Sequence, residues 1–331
     1  MVALGVVLSA CASKKSPQTG PPPSFPAPSP TTPIPAATGP ALTAAMAKLP
    51  DFLMTMAGNF GDFSVSAIEG QDLNNPNTAA ALLGGAPMSA GDAVYSPQLS
   101  HDRSKVLFVE APAQTLANSS NDGGGNVVVE SVDGTGARVI ATGDNVSPTW
   151  SPDGSQIAFV RAGVLWVMNA DGSNQHAVGV SLSVNYYLSW SPDGSEIAVS
   201  SGNPSQVKIV NLANKSVAPV GNGAEEDSPA WSPDGKHIAF SEQISNSIFE
   251  APVTASGVGA ATQLTTCDSP CLRDTQPSWS PDGALLAFVR FEPTGSGPNA
   301  PDVEQVWVMS ADGGSPHAVT TGPQEHAFPT W

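Results

Sequence analysis

The sequence predicts an all-β chain of repeated four-stranded units set in a ring, and three observations carry that prediction. Trp-Ser-Pro-Asp-Gly occurs four times, beginning at Trp150, Trp190, Trp231 and Trp279. Each copy precedes an alternating apolar run such as Ile157-Ala158-Phe159-Val160, which makes the copies an internal repeat of about 40 to 50 residues. A second Asp-Gly pair follows a third apolar run, at Asp171-Gly172 after Val164–Asn169 and at Asp312-Gly313 after Gln305–Ser310.

The chemistry of one repeat gives its strands in order. In Ser-Pro-Asp-Gly, proline presets φ for a type I turn, aspartate bonds nearby backbone, and glycine accepts the left-handed conformation that closes the hairpin. The motif therefore joins the first two strands. A variable loop leads to the third strand, the second Asp-Gly turn follows, and a short fourth run closes the unit, as at His176–Val180 or His317–Thr320. Four-stranded antiparallel units stacked radially form a β-propeller. One such sheet cannot bury both faces alone, so Trp150, Trp190, Trp231 and Trp279 are expected to pack between neighbouring units.

A degenerate fifth copy reads Tyr95-Ser96-Pro97-Gln98-Leu99-Ser100-His101-Asp102, with Leu99 in the tryptophan position. The chain ends on Phe328-Pro329-Thr330-Trp331, the beginning of another repeat. Its remaining strands are expected at the other end, at Phe52–Met56, Phe63–Ile68 and Ala79–Leu83, so that the last strand closes the first unit and removes open edges. This arithmetic gives six blades; seven is the alternative.

These residues resemble the TolB-like, WD40-like Pro-Asp repeat propellers over roughly residues 50–331. The resemblance implies the fold and an envelope protein, whereas such propellers serve both as binding proteins and as accessory domains of peptidases and lyases. TolB as the family is known carries an α/β domain ahead of the propeller and works with a peptidoglycan-associated lipoprotein. The segment before residue 50 departs from that pattern, being too short and too proline-rich for such a domain.

Leu8-Ser9-Ala10-Cys11 after the apolar run Val2–Ala10 looks like a bacterial lipobox. Residues 1–10 are thus expected as a signal peptide, with Cys11 as the lipidated, palmitate-bearing first residue. No Lys or Arg precedes the apolar run. Ten prolines fall within the 24 residues Pro17–Pro40, so residues 11–45 read as an extended tether and 46–331 as the propeller.

Twenty-nine acids against 12 bases leave a net charge of −17. That balance argues against nucleic acid, and against a membrane contact other than the anchor, since both need clustered Lys and Arg. The expected localisation is the outer side of the bacterial cell membrane or the cell envelope. Cys267 and Cys271 are read as a local disulfide in an oxidising compartment, because two thiols without a histidine make a poor zinc site.

No Gly-x-Ser-x-Gly elbow, His-Glu-x-x-His, Walker loop, dinucleotide fingerprint or EF-hand loop occurs. Gly123-Gly124-Gly125 lacks a following helix and reads as a flexible loop. The motif turns should share one plain face, and the longer connections Ala111–Gly125, Phe291–Asp302 and the cysteine loop the other, where binding is expected. On that second face, five residues before each repeat's aromatic, lie Asn145, Asn185, Glu226, Asp274 and His326, with Val94 in the degenerate copy. This channel-mouth ring could coordinate a cation, hold a basic peptide terminus or only order water; no other cofactor is expected. Function is read as a monomeric, non-catalytic binding module for an envelope protein, peptide or glycan. The alternatives are a glycan hydrolase or lyase using Glu226 and Asp274 as acid and base, and a structural envelope scaffold.

Overall fold

The computed structural model describes residues 52–59, 65–73, 81–83, 92–112, 124–183, 187–221, 223, 225–268, 270–295, 302–322 and 325–331. Cys11, the proline-rich segment, Asn185 and most of the two longest loops lie outside them. The described strands begin with β1 (Phe52–Asn59), β2 (Val65–Asp72), β3 (Ala81–Leu83), β4 (Asp92–Leu99), β5 (Lys105–Pro112) and β6 (Gly125–Ser131). There follow β7 (Arg138–Trp150), β8 (Gln156–Arg161), β9 (Val164–Asn169), β10 (His176–Ser181), β11 (Leu188–Trp190) and β12 (Glu196–Gly202). Next come β13 (Ser205–Asn211), β14 (Val217–Pro219), β15 (Glu226–Trp231), β16 (His237–Glu242), β17 (Ser247–Thr254) and β18 (Gly257–Val258). The series ends with β19 (Thr262–Gln263), β20 (Arg273–Trp279), β21 (Leu285–Pro293), β22 (Asp302–Ser310), β23 (His317–Ala318) and β24 (Glu325–Thr330).

Every pairing is antiparallel, and the strands form the all-β propeller that the repeat predicts. Hydrogen bonding divides them into five sheets, not six. Sheets β11-β12-β13-β14 and β20-β21-β22-β23 each follow one repeat, and β15-β16-β17-β18 does so with β19 added against β17. The seven-stranded sheet runs from β4 to β10 without a break. Its cause is β7, whose first half pairs with β6 through Val128↔Val139 and whose last residues pair with β8 through Trp150↔Ile157. One continuous strand thus ends one repeat and begins the next.

The remaining sheet has the order β24-β1-β2-β3 and joins the two ends of the described chain. Met54 pairs with Thr330, and Met56 with Ala327. The expected closure by the C-terminal strand is therefore present. β2 is described from Val65 and β3 from Ala81, and residues 63–64 and 79–80 of the expected strands lie outside the described residues.

The motif turns behave as their chemistry dictates. The Ser151 hydroxyl donates to Asp153 Oδ1 at 2.7 Å, the Ser155 and Gln156 amides donate to Asp153 and to Ser151 Oγ, and Gly154 N–H returns to Ser151 O. The same serine-to-aspartate bond recurs at Ser191, Ser232 and Ser280. These bonds hold the Asp153 carboxyl down at about 2, so it stays ionised and engaged in its own turn.

The tryptophans seal unit against unit. Trp190 packs with Ala158, Leu165 and Val167 of one unit and Ile197, Val199 and Val210 of the next. Trp231 lies between Val207 and Ile209 on one side and Ile238 and Phe240 on the other. Trp331 joins Val306 and Val308 to Leu53, and Leu99 fills the equivalent place between Met54 and Phe108. Trp279 does the same against Ala239 and Ile248 while remaining only partly buried. Gly124 and Gly125 are not a flexible run: a Cβ on Gly124 would strike the Asp144 backbone, and one on Gly125 the Glu110 backbone.

Candidate functional site

The inner strands carry a feature that the sequence reading missed. Ser96, Ser147, Ser228, Gln276 and Phe328 all have left-handed φ, between 50° and 52°, and each precedes a proline. Pairing slips at each site, between Tyr95 and Gln98, Val146 and Thr149, Asp227 and Ala230, Thr275 and Ser278, and opposite Met54 to Met56. These are β-bulges: proline cannot donate to the ladder, so the chain bends around it and re-aims the residues that follow. The recurring proline two residues before the aromatic was the available signal.

Beyond the bulges the inner strands open into a funnel of about 970 Å³. All six copies and part-copies of the motif line it, through Leu99, Trp150, Trp190, Trp231, Trp279 and Trp331 together with turn prolines such as Pro152, Pro192 and Pro281. The face expected to be plain therefore carries a cavity of this size, with the short motif turns standing around its mouth. Three indoles are anchored on backbone carbonyls: Trp190 Nε1 on Gly194 O, Trp279 Nε1 on Ala230 O and Trp331 Nε1 on Ser278 O, at 3.1 to 3.2 Å. The Trp150 and Trp231 indole N–H groups are buried without such a bond.

The described members of the expected channel-mouth ring are buried inside the sheets, and Asn185 lies outside the described residues. Asn145 is fully buried; its amide donates to Gly125 O and Gly143 O, and Arg161 Nε donates to its Oδ1 at 2.7 Å. Arg161 in turn lies over the Phe159 and Trp166 rings. Asp274 is likewise buried and grips Arg290 through two bonds of 2.7 Å, with Arg290 over Phe288 and Trp307. Two repeats thus use the same latch. Glu226, 1% exposed, accepts the Gly223 amide at 2.9 Å. His326 is buried with Nδ1 4.0 Å from Glu69 Oε2, and burial pushes it down to about 4. Val94 is buried in the apolar cluster around Leu99.

None of these residues lines the funnel. Glu226 and Asp274 are both buried and bonded within their own sheets, and neither lines the funnel. The reason is physical: a polar side chain at the start of an inner strand is covered by its neighbours and must find partners there.

Cys267 and Cys271 form the expected disulfide. Among the described residues, they and Asp274 make the one close group of three that resembles a metal ligand set, but both sulfurs are spent in the disulfide. Glu304 is pushed up to about 8, first by burial and then by Glu325, against the pull of Arg273. It too lies away from the funnel.

A ring of tryptophan-sealed sheets around an aromatic and proline-lined funnel defines a β-propeller of the Pro-Asp repeat class. The chain belongs to the TolB β-propeller domain family, which matches residues 164–331. Its fold is similar to that of TolB from Acinetobacter baumannii, at 18% identity and a TM-score of 0.64, over 85% of this chain and 66% of that one. It is also similar to the TolB candidate of Agrobacterium tumefaciens, at 20% identity and a TM-score of 0.59, over 81% and 89% of the two chains. This chain thus spans about two thirds of the Acinetobacter protein. No curated protein matches it in sequence.

Proposed function

We propose that the protein is an exported, lipid-anchored binding module, without catalysis, that receives an envelope protein, peptide or glycan in the motif-face funnel. The observation that carries this reading is the funnel, about 970 Å³ of aromatic and proline-lined space on a rigid ring. Absence of catalysis is supported by the engagement of Glu226 and Asp274 within their sheets. The long-loop face, favoured from sequence, offers no comparable support among the described residues.

The six-blade count is part of the same proposal. It counts the seven-stranded sheet as two units sharing β7, and it agrees with the six stretches of chain around the funnel. Residues 1–10 as signal peptide, lipidation of Cys11, a tether over 11–45 and a propeller over 46–331 complete it, with the lipidated Cys11 holding the protein in the envelope as a monomer. Membership in the TolB propeller family supports an envelope location.

Affinity capture from envelope extracts tests the proposal with Gln156→Trp, which fills the funnel, and Ile244→Arg on the opposite face, where Ile244 is 70% exposed. Partners should be lost from the first variant and kept by the second. The reverse pattern contradicts the funnel. Replacing Cys11 with Ala should release the protein from membranes, and continued association would refute lipidation.

A further inference from the structure

The charge around the funnel is uneven, and the unevenness follows the residue after each motif glycine. Asp153, Asp193 and Asp282 line the funnel and are exposed, and in their turns the glycine is followed by Ser155, Ser195 and Ala284. Where a lysine follows, in Gly235-Lys236, its ammonium pairs with Asp234 Oδ2 at 3.4 Å, and Asp234 is not a lining residue. The degenerate copy repeats the pattern: Asp102 lies in the field of Lys105 and does not line the funnel either. The motif aspartates with a cation of their own thus stand outside the funnel, and the three without one stand at its wall.

The lining does little to offset them. Arg103, in the glycine place of the degenerate turn with φ 55°, is the one Lys or Arg there. It is 9% exposed, its Nη2 is buried, and it is already engaged within the protein.

The three carboxylates stay ionised because their own turns hold them so. The Ser151 hydroxyl and the Ser155 amide keep Asp153 down at about 2, and the Ser195 and Ala284 amides hold Asp193 and Asp282 below the ordinary carboxylate range. Acceptor capacity remains all the same. On Asp282 the Ala284 amide and Ser280 Oγ both donate to Oδ1, at 3.0 and 2.7 Å, and Oδ2 takes no bond from another described residue. On Asp153 and Asp193 the second oxygen accepts only a rotatable hydroxyl, from Ser155 at 2.8 Å and Ser195 at 3.0 Å. Trp279, from the same copy as Asp282, is the one lining tryptophan that is only partly buried, and its N–H is tied to Ala230 O. An indole and a carboxylate attract the same kind of group, a cation.

We infer that the funnel takes a basic peptide segment and seats a lysine or arginine side chain against Asp282, with Asp153 and Asp193 adding to the attraction. This rests on the funnel being the binding site. A neutral glycan offers three carboxylates nothing to answer them, and an acidic partner is repelled. The test titrates the folded protein at low salt with four capped peptides, acetyl-Ala-X-Ala amide, in which X is lysine, arginine, norleucine or glutamate. Calorimetry gives affinity, and fluorescence of the lining tryptophans reports entry.

The lysine or arginine peptide should bind about five- to tenfold more tightly than the norleucine peptide, and the preference should shrink in high salt. Whichever of the two binds better identifies the side chain. Asp282→Asn keeps an oxygen for Ser280 and the Ala284 amide and should remove most of the preference. Ala284→Lys copies Gly235-Lys236 and should lower it too, without altering a lining residue. If one variant melts well below the parent, the other decides. Equal binding of the lysine, arginine and norleucine peptides, or tighter binding of the glutamate peptide, overturns the cation preference and leaves the funnel standing. No tryptophan response to any peptide overturns both. A preference that survives in the folded variants overturns the place given to Asp282.

Discussion

Replacing Trp331 with alanine tests ring closure. The indole is 8% exposed, packs on Leu53 of β1 and on Val306 and Val308 of β22, and donates to Ser278 O at 3.1 Å. Burial of a tryptophan removes about 200 Å² from water, worth roughly 5 kcal/mol at 25 cal/mol per Å². Partial collapse of the cavity and rehydration of the Ser278 carbonyl reduce this, so the expected loss is about 3 to 5 kcal/mol. For a domain of this size that is a fall of roughly 6 to 20 °C in melting temperature. Thermal and urea unfolding followed by circular dichroism measure it, with Val217→Ala at a 47% exposed edge position as the control. Leu53→Ala combined with Trp331→Ala should cost less than the sum of the two, because they share one cavity. A change within a degree or two of the control would refute the closure, since a dispensable Trp331 cannot be tying the ends together.

Two pH predictions have opposite signs. His326 is held near 4 against an ordinary 6.5, so between those values the unfolded chain binds the extra proton and stability falls with acidification, by about 3 kcal/mol at most. His326→Gln should flatten the acid limb of the stability profile; an unchanged limb refutes the assignment. Glu304 is held near 8 against 4.5, so its contribution is complete below pH 4.5 and is lost as pH rises toward 8. Glu304→Gln should therefore stabilise the protein at pH 8 more than at pH 4.5, and equal effects would contradict the burial argument. Cys267→Ser with Cys271→Ser opens a loop of only a few residues and should cost about 2 kcal/mol or less by chain entropy. A larger loss in urea unfolding would mean that the loop also supports the neighbouring Asp274–Arg290 pair.

Much of the architecture was legible because the motif is a local code. Ser-Pro-Asp-Gly specifies its own hydrogen bonds, as Ser151 and Asp153 show, and the aromatic before it marks a seam between sheets. The terminal Phe328-Pro329-Thr330-Trp331 could be matched to β1 because a ring leaves one fourth strand to be supplied. The continuity of β7 was not legible, since Gly143-Asp144-Asn145 within Arg138–Trp150 reads as a turn between one repeat and the next.

The sequence places the candidate site on the long-loop face, whereas the proposed funnel lies on the motif face. Sequence shows that Asn145, Glu226, Asp274 and His326 begin inner strands, but not that Arg161 and Arg290 fold back over them. Loop length suggested where binding should lie, whereas the funnel is lined by inner strands that carry bulges, which no loop length reports. The departures at Leu99, His101 and Arg103 were visible as a degenerate copy, and only the common turn geometry shows that Arg103 stands in a glycine position.

The measurement that bears most directly on the funnel is photo-crosslinking in the intact envelope. A photoreactive phenylalanine analogue is placed in turn at Gln156 and Leu188 in the funnel, and at Ile244 and Leu272 on exposed loops outside it. Discrete adducts from Gln156 and Leu188, and none from Ile244 and Leu272, are the predicted result. Adducts from Ile244 and Leu272 alone would contradict it and return the binding surface to the long-loop face.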